Sequence, residues 1–118
     1  MKLIYPKSFK NIKNNKHINF KVFFDKNEIN KIISIYSKNV TSGNWFDYSV
    51  EQKTNEAVFY IFGKKTPVAK YRIIKRQFNL YKFQVLDASG KIISMSKEID
   101  KALFQIDKDT QVAKRKKA

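Results

Sequence analysis

The sequence predicts a small α+β domain, in which a twisted antiparallel sheet of about five strands carries two amphipathic helices on one face. Three observations lead to this prediction. Strand-like segments joined by short turns favour a meander of neighbouring antiparallel strands. One helical pattern precedes these segments and another follows them. With 118 residues, of which 42% are hydrophobic, the chain has room for one hydrophobic core.

The first helix has clear start and stop signals. Asp25 followed by Glu28 is a capping-box pattern, in which each side chain accepts a hydrogen bond from the other residue's backbone N–H. The apolar residues that then recur at helical spacing are Ile29, Ile32, Ile33, Tyr36 and Val40. Gly43 suits the left-handed conformation that often follows a helix. We therefore predict a helix over about 26–41.

The strands come next along the chain. Residues 18–24, "INFKVFF", precede the helix and are predicted to be a strand or an extended segment pinned to the core. The strands predicted after the helix are 46–52, 57–63, 68–76, 80–87 and 91–95. The turns predicted between them include 53–55, 64–67 and "DASG" at 87–90. A final helix follows Ser96, and its apolar stripe is Ile99, Ala102, Leu103 and Ile106.

The segment "AVFYIF" at 57–62 is apolar on both faces, which predicts an interior strand covered on both sides. Two helices on one face of the sheet would leave its other face uncovered. Either the N-terminal segment crosses that face or a second subunit does.

The segment "KYRIIKRQFNLYKFQV" at 70–85 holds five basic and four aromatic residues and no acid. If its turn is centred on Phe78, Tyr71 faces Val85, and the aromatic side chains mostly point to the core. The basic residues that share the opposite face are Lys70, Arg72, Arg76 and Lys82. This separation counts against a base-stacking platform but permits phosphate binding, which needs clustered Lys and Arg. The alternative is that these long basic stems shield a solvated face.

Four ordered blocks resemble the bacterial domain of unknown function 2794 over about residues 20–107. The blocks are "FDKNEINKIISIY", "SGNWFDYSV", "KYRIIKR" and "YKFQVLDASGKII". The family pattern maps to Phe24, Asp25, Glu28, Gly43, Trp45, Asp47, Tyr48, Tyr71, Arg72, Ile73, Lys75 and Arg76. The resemblance implies a single self-contained domain, and it implies no activity, substrate or cofactor.

The residue inventory argues against catalysis. The chain has no cysteine, which excludes disulfides and cysteine-based metal sites, and its one histidine is His17. It has no glycine-rich phosphate loop and no recognisable nucleophile motif. We expect no enzyme activity, no metal and no cofactor. The absence of a long apolar run predicts no transmembrane segment, and we expect a cytoplasmic protein.

The formal net charge is +15, from 25 Lys and Arg against 10 Asp and Glu. Nine of these charges lie in two predicted arms, a basic and flexible N-terminal arm at 1–16 and a basic C-terminal tail at 110–118. Residues 17–109 form the predicted globular domain. A composition bias toward Lys, Ile and Asn, as an AT-rich genome imposes, is the alternative origin of part of the charge.

These features favour a non-enzymatic nucleic-acid-binding protein, with RNA or the ribosome as a better ligand than a specific DNA site. The predicted phosphate contacts are Lys64, Lys65, Lys70, Arg72, Arg76, Lys82, Lys114, Arg115, Lys116 and Lys117. Six phosphate contacts would give a slope of about −4 to −5.5 in a plot of log K against log salt.

The alternative function is a protein-interaction module, either a homodimer or an adaptor for an acidic partner. Its predicted interface is Trp45, Tyr60 and Phe62. Trp45 can instead fill the corner between helix and sheet, since large aromatic side chains dominate small cores.

Overall fold

The computed structural model describes residues 21–64, 67–77 and 80–117, with side chains as far as Thr110 in the last helix. Its elements are α1 (Lys26–Thr41), β1 (Asp47–Lys53), β2 (Glu56–Phe62), β3 (Ala69–Arg76), β4 (Phe83–Asp87), β5 (Ile92–Ser96) and α2 (Ile99–Lys117). The five strands form one open antiparallel sheet in the order β1-β2-β3-β4-β5. The predicted α+β meander with two helices is confirmed.

The start of α1 is the predicted capping box. The backbone N–H of Glu28 donates to Asp25 Oδ1 at 2.8 Å, and the backbone N–H of Asp25 donates to Glu28 Oε1 at 2.8 Å. The buried Glu28 carboxylate also accepts a hydrogen bond from Lys75 Nζ on β3 at 2.7 Å. One side chain therefore both starts the helix and ties it to the sheet.

The end of α1 is organised by Asn39, which is fully buried. Its side-chain Nδ2 donates to the backbone carbonyl of Ile35, and its Oδ1 accepts from Asn44 Nδ2, each at 3.0 Å. The backbone carbonyl of Asn39 accepts from the backbone N–H groups of Asn44 and Trp45. Val40, predicted on the apolar stripe, is 40% exposed. The stripe prediction was wrong there because the last turn uses a polar side chain to satisfy backbone groups that have no partner inside the helix.

Both helices pack on the same face of the sheet, and one hydrophobic core lies between the two layers. The sheet supplies Ala57, Phe59, Ile61, Tyr71, Ile73, Phe83 and Val85, and the helices supply Ile32, Ile99, Ala102, Leu103 and Ile106. Val22 and Phe24 are buried in the same core, so the described part of the segment before α1 is pinned to it. Neither described helix combines the length and the apolar character needed to cross a membrane.

Helix α2 continues past the point where the sequence predicted a tail. The backbone is helical to Lys117, and Thr110 is buried, with its hydroxyl donating to the Ile106 carbonyl at 2.9 Å. Much of the segment 110–118 therefore continues the helix. The basic residues at 114–117 lie in its last turn, where positive charge is favourable near the helix C-terminus.

The register between β3 and β4 differs by two residues from the predicted one. Tyr71 faces Asp87 rather than Val85, and Val85 faces Ile73. Strand β4 begins at Phe83 instead of 80, so the connection that precedes it is longer than predicted. Because side chains alternate along a strand, an even shift keeps the paired residues of β3 and β4 on their predicted faces.

We expect Asn39→Ala to lower the free energy of unfolding by about 2 kcal/mol, since it removes a buried amide and leaves Asn44 Nδ2 without its acceptor. Urea unfolding monitored by circular dichroism measures this change. Asn30→Ala, at an exposed position of the same helix, should change stability by less than about 0.5 kcal/mol. Equal effects of the two substitutions would contradict the role given to Asn39.

Candidate binding face of the sheet

Neither helix covers the second face of the sheet, called here the open face. Two rows of side chains cross it, as set by the strand register. The first row is Ser49, Tyr60, Arg72, Leu86 and Ile92, and the second is Glu51, Val58, Ile74, Gln84 and Met95. Val58 and Ile74 are buried, whereas Tyr60, Arg72 and Leu86 are half-buried. Ile92 and Met95 are each 47% exposed.

An aromatic pair and an arginine lie together on this face. The rings of Tyr60 and Phe62, two residues apart on β2, are nearly parallel, with centroids 6.4 Å apart and an interplanar angle of 21°. Arg72 faces Tyr60 across the β2–β3 ladder. In the described part of the chain, no hydrogen bond or ion pair engages the Arg72 guanidinium. The face therefore offers aromatic surface beside a charged donor whose N–H groups can bind a ligand.

Tyr60 is held in place by its hydroxyl, which donates to Glu51 Oε1 at 2.7 Å. This hydrogen bond, together with burial, raises the pKa of Tyr60, while the nearby charge of Arg72 opposes the shift. The ring is thus fixed at one end, and it stays neutral at physiological pH.

Arg76 lies on the same face but its charge is already neutralised. Its Nη1 donates to Glu56 Oε1 at 2.8 Å, and its Nε donates to Gln84 Oε1 at 3.3 Å. Strands β1 and β2 thus bring acids to a face that the 70–85 segment alone would leave without them. Among the described strand residues, alternation places three acids, Asp47, Glu51 and Glu56, and three bases, Lys53, Arg72 and Arg76, on the open face.

Lys70 lies away from Arg72 and Arg76. It is the extra residue of a bulge, because Phe62 faces Ala69 while Ile61 faces Tyr71. Its aliphatic stem passes so close to Gly63 that a Cβ added there would lie 2.9 Å from Lys70 Cδ. Its Nζ lies 3.5 Å from the Asn44 carbonyl, just beyond the end of α1. The alternation that places Lys70 on the basic face was wrong because a bulge breaks the period of two.

Lys82 also departs from the predicted cluster. It precedes β4, and its exposed side chain borders a groove of about 540 Å³ shared with Lys21 and Lys75. Its Nζ lies 5.8 Å from the centroid of the Phe83 ring. Of the four basic residues predicted to share a face, the described structure brings together Arg72 and Arg76.

The other predicted contacts are dispersed or lie outside the described residues. Lys64 is exposed just after β2. Lys65 and His17 are outside the described residues, as are the side chains of Lys114, Arg115, Lys116 and Lys117.

Trp45 fills the junction between the end of α1 and the sheet. It is 2% exposed, and its ring centroid lies 6.2 Å from that of Tyr36 and 5.9 Å from that of Tyr71. This is the packing role offered as the alternative for this residue. Trp45 is therefore excluded as a surface anchor, which corrects its place in the predicted protein interface.

The position of Tyr60 and Phe62 beside Arg72 was not predicted from the sequence. The aromatic side chains of the 70–85 segment were predicted to point mostly inward, and Tyr71 and Phe83 are buried in the core. The exposed aromatic surface comes instead from the neighbouring strand. The apolar character of both faces of segment 57–62 indicated that aromatic side chains lie on the open face. Placing them beside Arg72 required the β2–β3 register.

A second polar cluster lies at the other end of β3. The Tyr71 hydroxyl donates to Asp109 Oδ2 at 2.6 Å, and burial followed by this hydrogen bond raises the pKa of Tyr71 well above its usual value. Asp87 accepts from the hydroxyl of Ser89 and the backbone N–H of Lys91, which lowers the pKa of its carboxyl group. Within the described residues, no group of three or more His, Cys, Asp or Glu side chains is arranged to hold a metal ion.

Residues 22–103 match a protein family described as "Protein of unknown function (DUF2794)". This range contains α1, all five strands and the start of α2, and it is more than half of the chain. No curated protein and no solved structure matches.

We expect the free energy of unfolding to fall above pH 10 partly because of Tyr71. The unfolded chain releases this proton near the ordinary pKa of 10.0, whereas the folded chain retains it to higher pH. The contribution of Tyr71 is therefore complete below pH 10 and is lost as the pH rises. In urea titrations between pH 8 and 11, Tyr71→Phe should reduce the decline by about 1 kcal/mol per pH unit. Identical declines in the wild-type protein and the Tyr71→Phe variant would contradict this assignment.

Proposed function

The chain belongs to the DUF2794 family, whose description gives no function. We propose that it is a non-enzymatic nucleic-acid-binding protein whose ligand is RNA, free or in the ribosome. The observation that carries the proposal is Arg72, a half-buried residue opposite Tyr60 whose guanidinium has no hydrogen-bond or ion-pair partner in the described part of the chain. The proposal includes a cytoplasmic location, where RNA is accessible.

The charge of the whole chain supports an anionic ligand. All ten acids lie among the described residues, and several of them are committed to internal contacts. Lys31 pairs with Asp100 and Lys38 with Asp107, each at 2.8 Å, across the two helices. These pairs neutralise bases one for one, so the excess of 15 positive charges remains for long-range, sequence-independent attraction to phosphate.

The environment of Arg72 supports a specific phosphate contact in addition to this long-range attraction. A guanidinium presents N–H donors in a planar fork that matches two oxygens of a phosphate. Arg72 faces Tyr60 on one side and Leu86 on the other, so its surroundings are less polar than those of an exposed lysine. Because this position is partly shielded from solvent, water weakens an ionic hydrogen bond there less than at a fully exposed position.

The structure also lowers the number of phosphates that the sheet itself can engage. Arg76 is already paired, and Lys70 and Lys82 lie elsewhere. Arg72 alone would contribute about −0.7 to the slope of log K against log salt for a single strand. A slope near −4 would then require contacts from lysines outside the open face.

The apolar residues Leu86, Ile92 and Met95 on the same face favour a second candidate function, a protein-interaction module that forms a homodimer or binds an acidic partner. An exposed apolar patch rimmed by polar residues is typical of such an interface. The burial of Trp45 removes one of the observations that first suggested this function.

We expect Arg72→Gln to weaken RNA binding about tenfold, because it removes the charged fork while keeping a polar side chain of similar length. The measurement is fluorescence anisotropy of the full chain with labelled RNA at several salt concentrations. Lys108→Gln, at an exposed site of α2, removes the same charge from the far side of the domain. It should reduce affinity less than twofold, whereas Arg72→Gln should also make the salt slope shallower by about 0.7. Equal effects would mean that binding depends on total charge and not on Arg72.

Sedimentation velocity at micromolar concentration separates the two candidate functions. The nucleic-acid proposal expects a monomer that forms a complex when RNA is added. A stable dimer that does not bind RNA would contradict it and would establish the interaction module. An Ile92→Lys variant that dissociates such a dimer would place the interface on the open face.

A further inference from the structure

We infer that Tyr60 and Phe62 form a base-stacking platform for single-stranded RNA, with Arg72 contacting the backbone of the same strand. This inference rests on the proposed function and goes further, because it names the strand state of the ligand and the atoms that recognise it. The ligand contributes unpaired bases, each of which offers a flat π surface to an aromatic ring.

The balance of charge on the open face favours single-stranded RNA over an RNA duplex as the ligand. The three acids and three bases that the described strands bring to this face balance one another, so clustered phosphates gain little from these residues. A duplex presents its phosphates and keeps its base faces stacked inside. A single strand can turn its bases toward the protein and gain about 1–3 kcal/mol per stacked base. The face is therefore better suited to the bases than to the phosphates of its ligand.

The aromatic pair is arranged for this role before any ligand binds. Its rings lie on one strand and are nearly parallel, and the hydrogen bond from Tyr60 to Glu51 fixes one of them. A ring that is already fixed loses little conformational entropy on binding, which favours affinity. Both rings are half-buried, so each is supported by the sheet while part of it remains accessible.

Arg72 sets where the strand runs. It lies on β3 directly across from Tyr60, so a base stacked on that ring can place its sugar and phosphate within reach of the guanidinium. The guanidinium can contact this phosphate with its fork or lie flat against the next base. Either contact adds to stacking without reading the base edges. The platform should accordingly accept all four bases with small differences in affinity.

The apolar residues on the same face offer the competing occupant, a protein surface. The aromatic and guanidinium groups favour RNA because they match the two parts of a nucleotide, whereas a purely apolar partner would leave Arg72 desolvated and unpaired. A protein partner is one of the outcomes that the following experiment reveals.

The test compares three labelled probes of equal length with the full chain at one salt concentration. They are a ten-nucleotide single strand of RNA, the same backbone carrying abasic sites at every position, and an RNA duplex. The single strand should bind at least tenfold more tightly than the abasic strand, since both carry the same phosphates and differ in their bases.

Substitution of the platform makes the test specific. Phe62→Leu should lower single-strand affinity about fivefold and leave abasic affinity unchanged. Phe104→Leu, at an exposed aromatic residue of α2, is the matched control and should change neither. These results together support the platform, provided that circular dichroism shows each variant to be folded.

Other outcomes overturn the inference in distinguishable ways. Equal affinity for the single strand and the abasic strand, with Arg72→Gln still weakening both, would reject stacking while the proposed function stands. Tighter binding of the duplex would also reject the platform. No binding of any probe would reject the platform and the proposed function together. Self-association that Ile92→Lys abolishes would then assign the open face to a second copy.

Discussion

The ion pair between Glu28 and Lys75 joins the start of α1 to the inward face of the sheet. Both side chains are largely buried, and the Lys75 ammonium also donates to the Phe23 carbonyl at 2.8 Å. The pair therefore joins the segment before α1, the start of that helix and an inner strand. Loss of one partner would leave a buried charge uncompensated, which typically costs about 3–5 kcal/mol. The apolar side chains of α2 pack on the same face, and two exposed salt bridges join this helix to α1.

Because both helices lie on one side of the sheet, β2 and β3 present different kinds of side chain to its two faces. Their inward side chains fill the core, and their outward side chains build a surface whose centre is buried and whose outer strand carries exposed Ile92 and Met95. Glu56 on β2 neutralises Arg76, and Glu51 on β1 accepts a hydrogen bond from Tyr60. Among the described residues, neither acid accepts a hydrogen bond from Arg72. The same strands thus provide stability on one side and leave binding capacity on the other.

The sequence was sufficient for features that depend on local chemistry. The capping box at Asp25 and Glu28, the glycine after α1 and the order of the strands all follow from short-range patterns. The binding face could not be predicted in the same way, because it depends on which residues become neighbours across strands. The bulge at Lys70, the partner of Arg76 and the approach of Tyr60 to Arg72 are all set by register, which alternation fixes only to within an even number of residues. Asn39 was missed because a pattern of apolar residues gives no weight to a buried amide.

The chain has one tryptophan, and its position gives the protein an internal optical probe of folding. The Trp45 indole sits among Tyr36 and Tyr71 on the helix side, and its buried Nε1 has no hydrogen-bond partner within the described residues. An indole in such a dry environment emits at shorter wavelength than one in water, so unfolding shifts its emission to the red. The sheet separates it from Phe62 and Arg72, and a molecule bound there does not touch it. Emission from this single residue therefore follows the integrity of the fold independently of occupancy on the opposite side.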